Sequence, residues 1–258
     1  MRRIALLAAG CFVVLAWGAQ GQAEELTAKQ IIDRVTNGDN LGFSTGEARV
    51  KLSIRNKRGQ ERVRIVNSKS IEKDGQRWTI VTFLEPADVA GTKLLSKQVK
   101  DGSDLQYLYL PALKEKRRIA GSDKDESFMG TDFTYNDLEQ NSLEEASHTL
   151  LPDEEHSGIP CFVIESVPTG KDAVYSKVKV WVDKKDFLPL KIYFFDKKGN
   201  HQKTLIAKTI EPLDGKIAIT TLMMKNVKKG TKTIMELEAL DRSKKFPEAI
   251  FDENKLDK

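Results

Sequence analysis

The stretch Glu47-Ala48-Arg49-Val50-Lys51-Leu52-Ser53-Ile54 alternates between polar and apolar side chains without a break. Period-two alternation marks a half-buried β-strand, here with Ala48, Val50, Leu52 and Ile54 on one face. Asn56-Lys57-Arg58-Gly59 then turns the chain into a second strand carrying Val63 and Ile65. Asp74-Gly75 turns it again, into residues 77–84. In that third strand Trp78, Ile80, Thr82 and Leu84 share one face, while Val81 and Phe83 lie on the other. Both faces are therefore apolar, and something must cover the second.

The pattern continues in both directions. Downstream, strands are expected at 94–99, 105–110 and 116–119 and again from 161 to 240, with Asp101-Gly102, Lys197-Lys198-Gly199-Asn200 and Lys228-Lys229-Gly230 as turns. Residues 121–156 interrupt the alternation. They are acidic and rich in Ser, carry Phe128, Met129, Phe133 and Tyr135, and read as loop plus one or two short helices. Upstream, Thr27-Ala28-Lys29-Gln30 is a capping-box pattern, Ile31, Ile32 and Val35 form a helical stripe, and Asn37-Gly38 is a stop, which predicts a helix over 27–37. About ten or eleven hairpin-linked strands make one antiparallel sheet from about residue 44 to 241. A sheet that wide curls, and its few helices close the concave side. The expected fold is mainly β, a half-barrel with a helical lid over an apolar cavity.

Composition narrows the function. In 258 residues, 42 Lys and Arg stand against 38 Asp and Glu, a formal charge of +4. With 40% hydrophobic and 31% charged residues the chain is neither a polytopic membrane protein nor disordered. The slight, spread charge excess argues against nucleic acid as partner. Arg2 and Arg3, an apolar run over 4–17 and Gly18-Ala19-Gln20-Gly21-Gln22-Ala23 make a signal peptide, with cleavage expected after Ala23. The run is short of the roughly 20 residues of a spanning helix; an uncleaved anchor is the competing reading. Ala8-Ala9-Gly10-Cys11 imitates a lipidation site, but Phe12-Val13-Val14-Leu15 follow, and cutting there would halve the apolar core. Residues 24–258 are expected as a single soluble, exported domain whose one cysteine is Cys161.

Catalytic machinery is hard to find. The sequence contains no G-x-S-x-G, H-E-x-x-H, Walker loop or G-x-G-x-x-G. Cys161 heads an apolar strand, as a buried inert thiol would. His156 follows Asp153-Glu154-Glu155, a string more often solvated than metal-binding, and His148 and His201 have no local partner. Asp132 precedes Phe133-Thr134-Tyr135 as an N-cap should, which outweighs pairing with Asp137 as catalytic carboxylates. No catalytic residue, metal or cofactor is expected. Bulky apolar residues, in contrast, exceed what one sheet face needs. Trp78, Ile80, Tyr107, Tyr109, Phe128, Met129, Phe133, Met223 and Met224 are the candidate cavity wall and lid. Alternation does not tell which face is concave, so some of the strand residues are expected on the outside. Phe128 and Phe133, away from regular strands, are expected to face space in the empty protein.

Three strings carry a resemblance: Glu85-Pro86-Ala87-Asp88-Val89-Ala90-Gly91-Thr92-Lys93-Leu94-Leu95; Leu108-Tyr109-Leu110-Pro111-Ala112-Leu113 with Arg117-Arg118-Ile119; and, most specific, Ser127-Phe128-Met129-Gly130-Thr131-Asp132-Phe133-Thr134-Tyr135-Asn136-Asp137-Leu138. With Leu188-Pro189-Leu190-Lys191 and a C-terminal Phe251 and Leu256, the chain from about residue 27 onward resembles the periplasmic outer-membrane lipoprotein-sorting family, in its LolA-like branch. The resemblance implies a non-enzymatic periplasmic carrier of acyl chains, on lipoproteins or lipids, between envelope membranes. It also implies an inner-membrane lipid-exporting permease as a candidate partner; the carrier itself is expected as a monomer. A lipid-sensing module regulating a membrane partner is the other function compatible with the fold. About fourteen buried CH₂ groups at roughly 0.8 kcal/mol each give about 11 kcal/mol before ordering costs, so such a cavity must be dry and prepared.

Overall fold

The structure, a computed structural model, describes residues 25–38, 45–100, 102–139, 145–170, 173–213 and 215–257. The expected signal peptide, Cys11 and Asp101 of the expected turn lie outside the described residues. Thr27 caps the one α-helix among the described residues, α1 (Ala28–Thr36): its hydroxyl accepts from the Gln30 amide while the Gln30 side chain receives the Thr27 N–H. The described strands are β1 (Gly46–Arg55), β2 (Glu61–Lys73), β3 (Gln76–Glu85), β4 (Lys93–Lys97), β5 (Leu105–Leu110), β6 (Glu115–Ile119), β7 (Ala146–His156), β8 (Ile159–Pro168), β9 (Lys177–Asp183), β10 (Pro189–Phe195), β11 (His201–Leu213), β12 (Lys216–Asn226) and β13 (Thr231–Asp241). No helix among the described residues is long and apolar enough to cross a membrane.

All thirteen strands form one antiparallel sheet in the order β6-β5-β4-β3-β2-β1-β13-β12-β11-β10-β9-β8-β7. The topology is two meanders. The first runs outward from β1 to the edge strand β6, and the second starts at the opposite edge, β7, and returns until β13 pairs with β1 from Glu47↔Asp241 to Arg55↔Lys232. The sheet curls without closing on itself. The segment between β6 and β7 must cross from one edge to the other, and it does so over the concave face.

Two features differ from the sequence reading. The described residues form thirteen strands rather than ten or eleven, and residues 146–156, expected within a stretch of loop and short helices, form β7. Pro152 and the carboxylates that disguise it suit an edge strand, where one side makes no ladder and charge discourages pairing with another chain. The helical content of the crossing segment is three short 3₁₀ turns, at Gly121–Asp125, Phe128–Gly130 and Asn136–Leu138.

Alternation places Val50, Leu52, Val66, Val81, Phe83, Leu94 and Leu108 on the concave face of the first meander, where they form one cluster with Phe128 and Tyr135. On the second meander Ile164, Val178, Val180, Val182 and Met224 form another, covered by Ile31, Ile32 and Val35 of α1 and by Phe133. Leu138 and Met235 pack against both clusters and join them. The convex face is covered locally. The C-terminal tail lays Phe251 and Leu256 over Ile80 and Leu95, while Cys161, Val163 and Trp181 belong to a separate cluster with Leu188 and Leu190.

Candidate functional site

Between the curled sheet and the crossing segment lies an apolar cavity of ≈ 190 Å³. Its walls are Val50, Leu52, Val66, Val81, Leu94, Leu222, Met235 and Leu237, with Phe128 and Leu138 closing it from the crossing segment. One end is polar: Ser68, Ser70, Thr79, Ser96, Thr220 and Arg77 ring it. A smaller cavity of ≈ 120 Å³ lies on the second meander, lined by Phe133, Tyr175, Val178, Ile192, Leu205 and Met224 among others.

The lid over these spaces is a miniature hairpin. Tyr135 N–H donates to the Glu126 carbonyl at 3.3 Å and Phe128 N–H to the Phe133 carbonyl at 2.8 Å. At its tip Met129 (φ 50°, ψ 36°) and Gly130 (φ 75°) are both left-handed, and Thr131 N–H donates to the Phe128 carbonyl at 3.0 Å. That is the geometry of a type I′ turn, which matches strand twist and which Gly tolerates freely at its second position. The hairpin directs Phe128 toward the first cluster, 5.4 Å from the Phe83 ring and 5.7 Å from Tyr135. Phe133 points to the other.

Polar contacts hold the lid to both meanders. On the first, Gln106 Nε2 donates to the Tyr135 carbonyl at 3.0 Å, Arg117 pairs with Glu126 at 2.9 Å, and Arg64 Nη1 donates to the Met129 carbonyl at the tip. Burial, and secondarily Arg62, pulls the Arg64 guanidinium below its ordinary value, with Asp88 opposing. On the second, Thr231 and Thr233 hydroxyls donate to the Asp132 carboxylate, so Asp132 anchors the lid to β13 instead of capping a helix. Asp137 forms an ion pair with Lys203 at 2.6 Å, with side chains 2% and 1% exposed. It also accepts from the Tyr175 hydroxyl at 2.6 Å and the Thr134 N–H at 2.8 Å. Burial first, then the Asp137 charge, pushes the Tyr175 phenol well above its usual value, which keeps it a donor.

Of the sequence candidates, Phe128 lines the larger cavity and Phe133 and Met224 the smaller, while Met129 packs on the first cluster from the lid tip. Phe128 and Phe133 are each 5% exposed to solvent, packed against the clusters on one side and bordering the enclosed cavities on the other. Trp78, Ile80, Tyr107 and Tyr109 lie on the convex face beneath the tail, with Trp78 6.5 Å from the Phe251 ring. Met223, facing Ile206 and Ile234 across the ladder, points opposite to Met224. The wall itself is aliphatic and comes from the alternate residues of the same strands, Val81 beside Ile80 and Leu94 beside Leu95. The sequence carries the alternation but not the sign of the curvature.

The remaining reactive groups are spoken for locally. Cys161 is fully buried, its thiol donates to the Ile159 carbonyl at 3.3 Å, and burial raises its pKa. Asp153 pairs with Lys184, and Glu154 accepts from Lys179 at 3.0 Å and from Trp181 Nε1 at 2.8 Å. His148 shares a hydrogen bond with Ser166 at 2.8 Å, and His201 one with Thr204 at 2.9 Å. No group of three or more His, Cys, Asp or Glu among the described residues could hold a metal ion.

Comparison with known proteins follows the same lines. A family model described as an uncharacterized protein matches residues 75–258. No curated protein matches the chain. Among solved structures, a domain described as that of an outer membrane lipoprotein-sorting protein from Vibrio parahaemolyticus is 32% identical. The match covers 90% of this chain and 97% of that one, with a TM-score of 0.80. A DUF1329 family protein from Desulfovibrio piger is 29% identical over 89% of this chain and 99% of its own, with a TM-score of 0.79. A LolA superfamily protein from Nitrosomonas europaea, 19% identical over 88% and 98%, shares the fold with a TM-score of 0.70. With a curled open sheet, a lid built from the most specific sequence string and a relative 32% identical along nearly its whole length, the chain belongs to the outer-membrane lipoprotein-sorting family.

Proposed function

We propose that the protein is an exported periplasmic carrier, a monomer processed after Ala23. It holds acyl chains of lipoproteins or lipids under its lid and moves them between envelope membranes beside an inner-membrane lipid-exporting permease, without catalysing a reaction. The observation that carries this reading is the apolar cavity walled by Val50, Leu52, Val66, Val81, Leu94 and Met235 and closed by Phe128. Its polar end, where Ser68, Ser70, Thr79, Ser96 and Arg77 gather, suits a headgroup left near solvent while the chain runs inward. At ≈ 190 Å³ the space is smaller than the roughly 300–1,000 Å³ of a drug-sized ligand site, so a long chain requires the lid to lift.

Two measurements test it. Native mass spectrometry of protein purified without detergent should show co-purifying lipid. A fluorescent fatty acyl probe should bind, and Val81→Phe, which fills the cavity from its wall, should weaken binding about tenfold or more, a loss of about 1.4 kcal/mol, while leaving the melting temperature near wild type. Absence of lipid together with probe binding unchanged by Val81→Phe would refute the carrier reading.

A further inference from the structure

The modest overall charge conceals a local concentration, contrary to the even spread expected from composition. The β1–β2 hairpin (residues 55–62) and the β12–β13 hairpin (residues 225–232) hold Arg55, Lys57, Arg58, Arg62, Lys225, Lys228, Lys229 and Lys232 against one carboxylate, Glu61. Eight cations less one anion is +7, and the whole chain carries +4, so everything outside these hairpins nets −3. Because β13 pairs with β1, the two hairpins are neighbours on one rim of the sheet; a Cβ on Gly230 would lie 3.6 Å from Lys57 Cβ. Arg55 is paired with Glu61 at 3.2 Å. The other seven cations have no ion-pair partner among the described residues.

Three further observations give this rim a direction. A polar cleft of ≈ 580 Å³ lies between the two hairpins and the lid tip, with Arg55, Arg62 and Lys229 on one side and Ser127, Gly130 and Thr131 on the other; its two carboxylates are engaged, Glu61 by Arg55 and Asp132 by Thr231 and Thr233. A second, of ≈ 350 Å³, lies between the hairpins themselves. Exposed apolar side chains stand among the charges: Val227 at the tip of one hairpin is 44% exposed and Val63 at the base of the other 43%. The β5–β6 turn, which the strand registers place on the same rim, holds up Leu113, 66% exposed. Unpaired cations interleaved with a few exposed aliphatic side chains, over clefts that admit phosphate-sized groups, fit the interface of an anionic bilayer.

We infer that this rim, from the two basic hairpins to the lid tip, is a docking surface for an anionic lipid membrane. Docking there places the lid tip against the headgroups, so that the lid would open where a chain must enter or leave. The surface does not depend on the cavity: a protein that docked by this rim and carried nothing would still bind vesicles.

The test is vesicle co-sedimentation of the chain from residue 24 on, which retains every described residue and removes the apolar run at 4–17. It should sediment with equimolar phosphatidylcholine–phosphatidylglycerol vesicles, not with phosphatidylcholine alone, and high salt should release it. Each basic side chain near an anionic leaflet contributes about fivefold to partitioning, so Lys228→Glu/Lys229→Glu and Lys57→Glu/Arg58→Glu should each lose tenfold or more, on the order set by that contribution. Lys185→Glu/Lys208→Glu, with the same change of net charge away from the rim, should bind like wild type. Acyl-probe binding by the hairpin variants, measured in parallel, should be unchanged, which separates failure of docking from failure of carriage. The inference is overturned if wild type ignores anionic vesicles, which would leave the rim to an acidic protein surface. It is equally overturned if the hairpin variants bind as wild type or the distant pair loses binding as they do.

Discussion

At the scale of single residues, the lid depends most on the buried trio Lys203, Asp137 and Tyr175. An ion pair with side chains 1% and 2% exposed gains little net stability from its own attraction, because both charges have left water. Breaking it is a different matter, since the survivor remains buried without compensation. Lys203→Met alone is expected to cost about 3–5 kcal/mol in denaturant unfolding, while Lys203→Met/Asp137→Leu should recover much of that loss. A single variant that unfolds like wild type would show that the pair does not clamp the lid. Half of this clamp could be read in the sequence. Asp132 and Asp137 stand in its most specific string, but nothing local assigns them to β13 and β11. Lys203 lies 66 residues from Asp137 and Tyr175 lies 38, separations that only the return of the second meander closes. Bulk misled in the opposite sense. Trp78, Tyr107 and Tyr109 are large because a tail must bind them from outside, whereas the cavity wall needs side chains small enough to leave room.

At the scale of elements, α1 and β7 form a pH-sensitive seam. His148 on β7 lies beside Lys29 and Asp33 of α1; burial first, then Lys29, lowers its pKa, with Asp33 opposing. Burial likewise lowers His156, farther along β7, with Lys191 adding to it. A histidine depressed in the folded state binds fewer protons there than in the unfolded chain. Its contribution to stability is therefore complete above the unfolded value, about 6.5, and is lost as pH falls through the folded one. The midpoint of urea unfolding should drop between neutral and mildly acid pH, and His148→Gln/His156→Gln should flatten that slope; an equal slope in the variant would assign it to other groups. β7 itself escaped the sequence reading because its carboxylates look like a solvated loop, when they are paired with Lys184, Lys179 and Trp181 across the edge. The C-terminal tail is the complementary case, since Phe251 and Leu256 were visible as anchors. Phe251, fully buried against Ile80 and Leu95, should cost about 3–5 kcal/mol when truncated to Ala. Because it packs on the convex face, acyl-probe affinity measured well below the melting temperature should stay at the wild-type value, and a marked loss would place the binding space outside the sheet.

At the scale of the molecule, the question is whether two meanders with separate apolar clusters behave as one body. The alternation of the first strands already implied a single wide sheet. That the sheet is two meanders joined in the middle was not legible, because pairing of β1 with β13 links segments nearly two hundred residues apart in sequence. Three connections argue for unity: the β1–β13 ladder, the lid held by Arg64, Gln106 and Arg117 on one side and by Lys203, Thr231 and Thr233 on the other, and Leu138 and Met235, which pack on both clusters. Two tryptophans report the halves separately. Trp78 sits on the first meander against the tail and Trp181 on the second against Tyr193, 4.8 Å between ring centroids. In the chain from residue 24 on, Trp78→Phe leaves Trp181 as the sole tryptophan and Trp181→Phe leaves Trp78. For a cooperative molecule, fluorescence and far-ultraviolet circular dichroism should give one coincident urea midpoint within each variant. Introducing Lys203→Met into each should then lower fluorescence and dichroism midpoints together, although Lys203 lies on the second meander and Trp78 on the first. If the Trp181 signal moves and the Trp78 signal does not, the meanders unfold independently and the lid joins them only in position, not in energy.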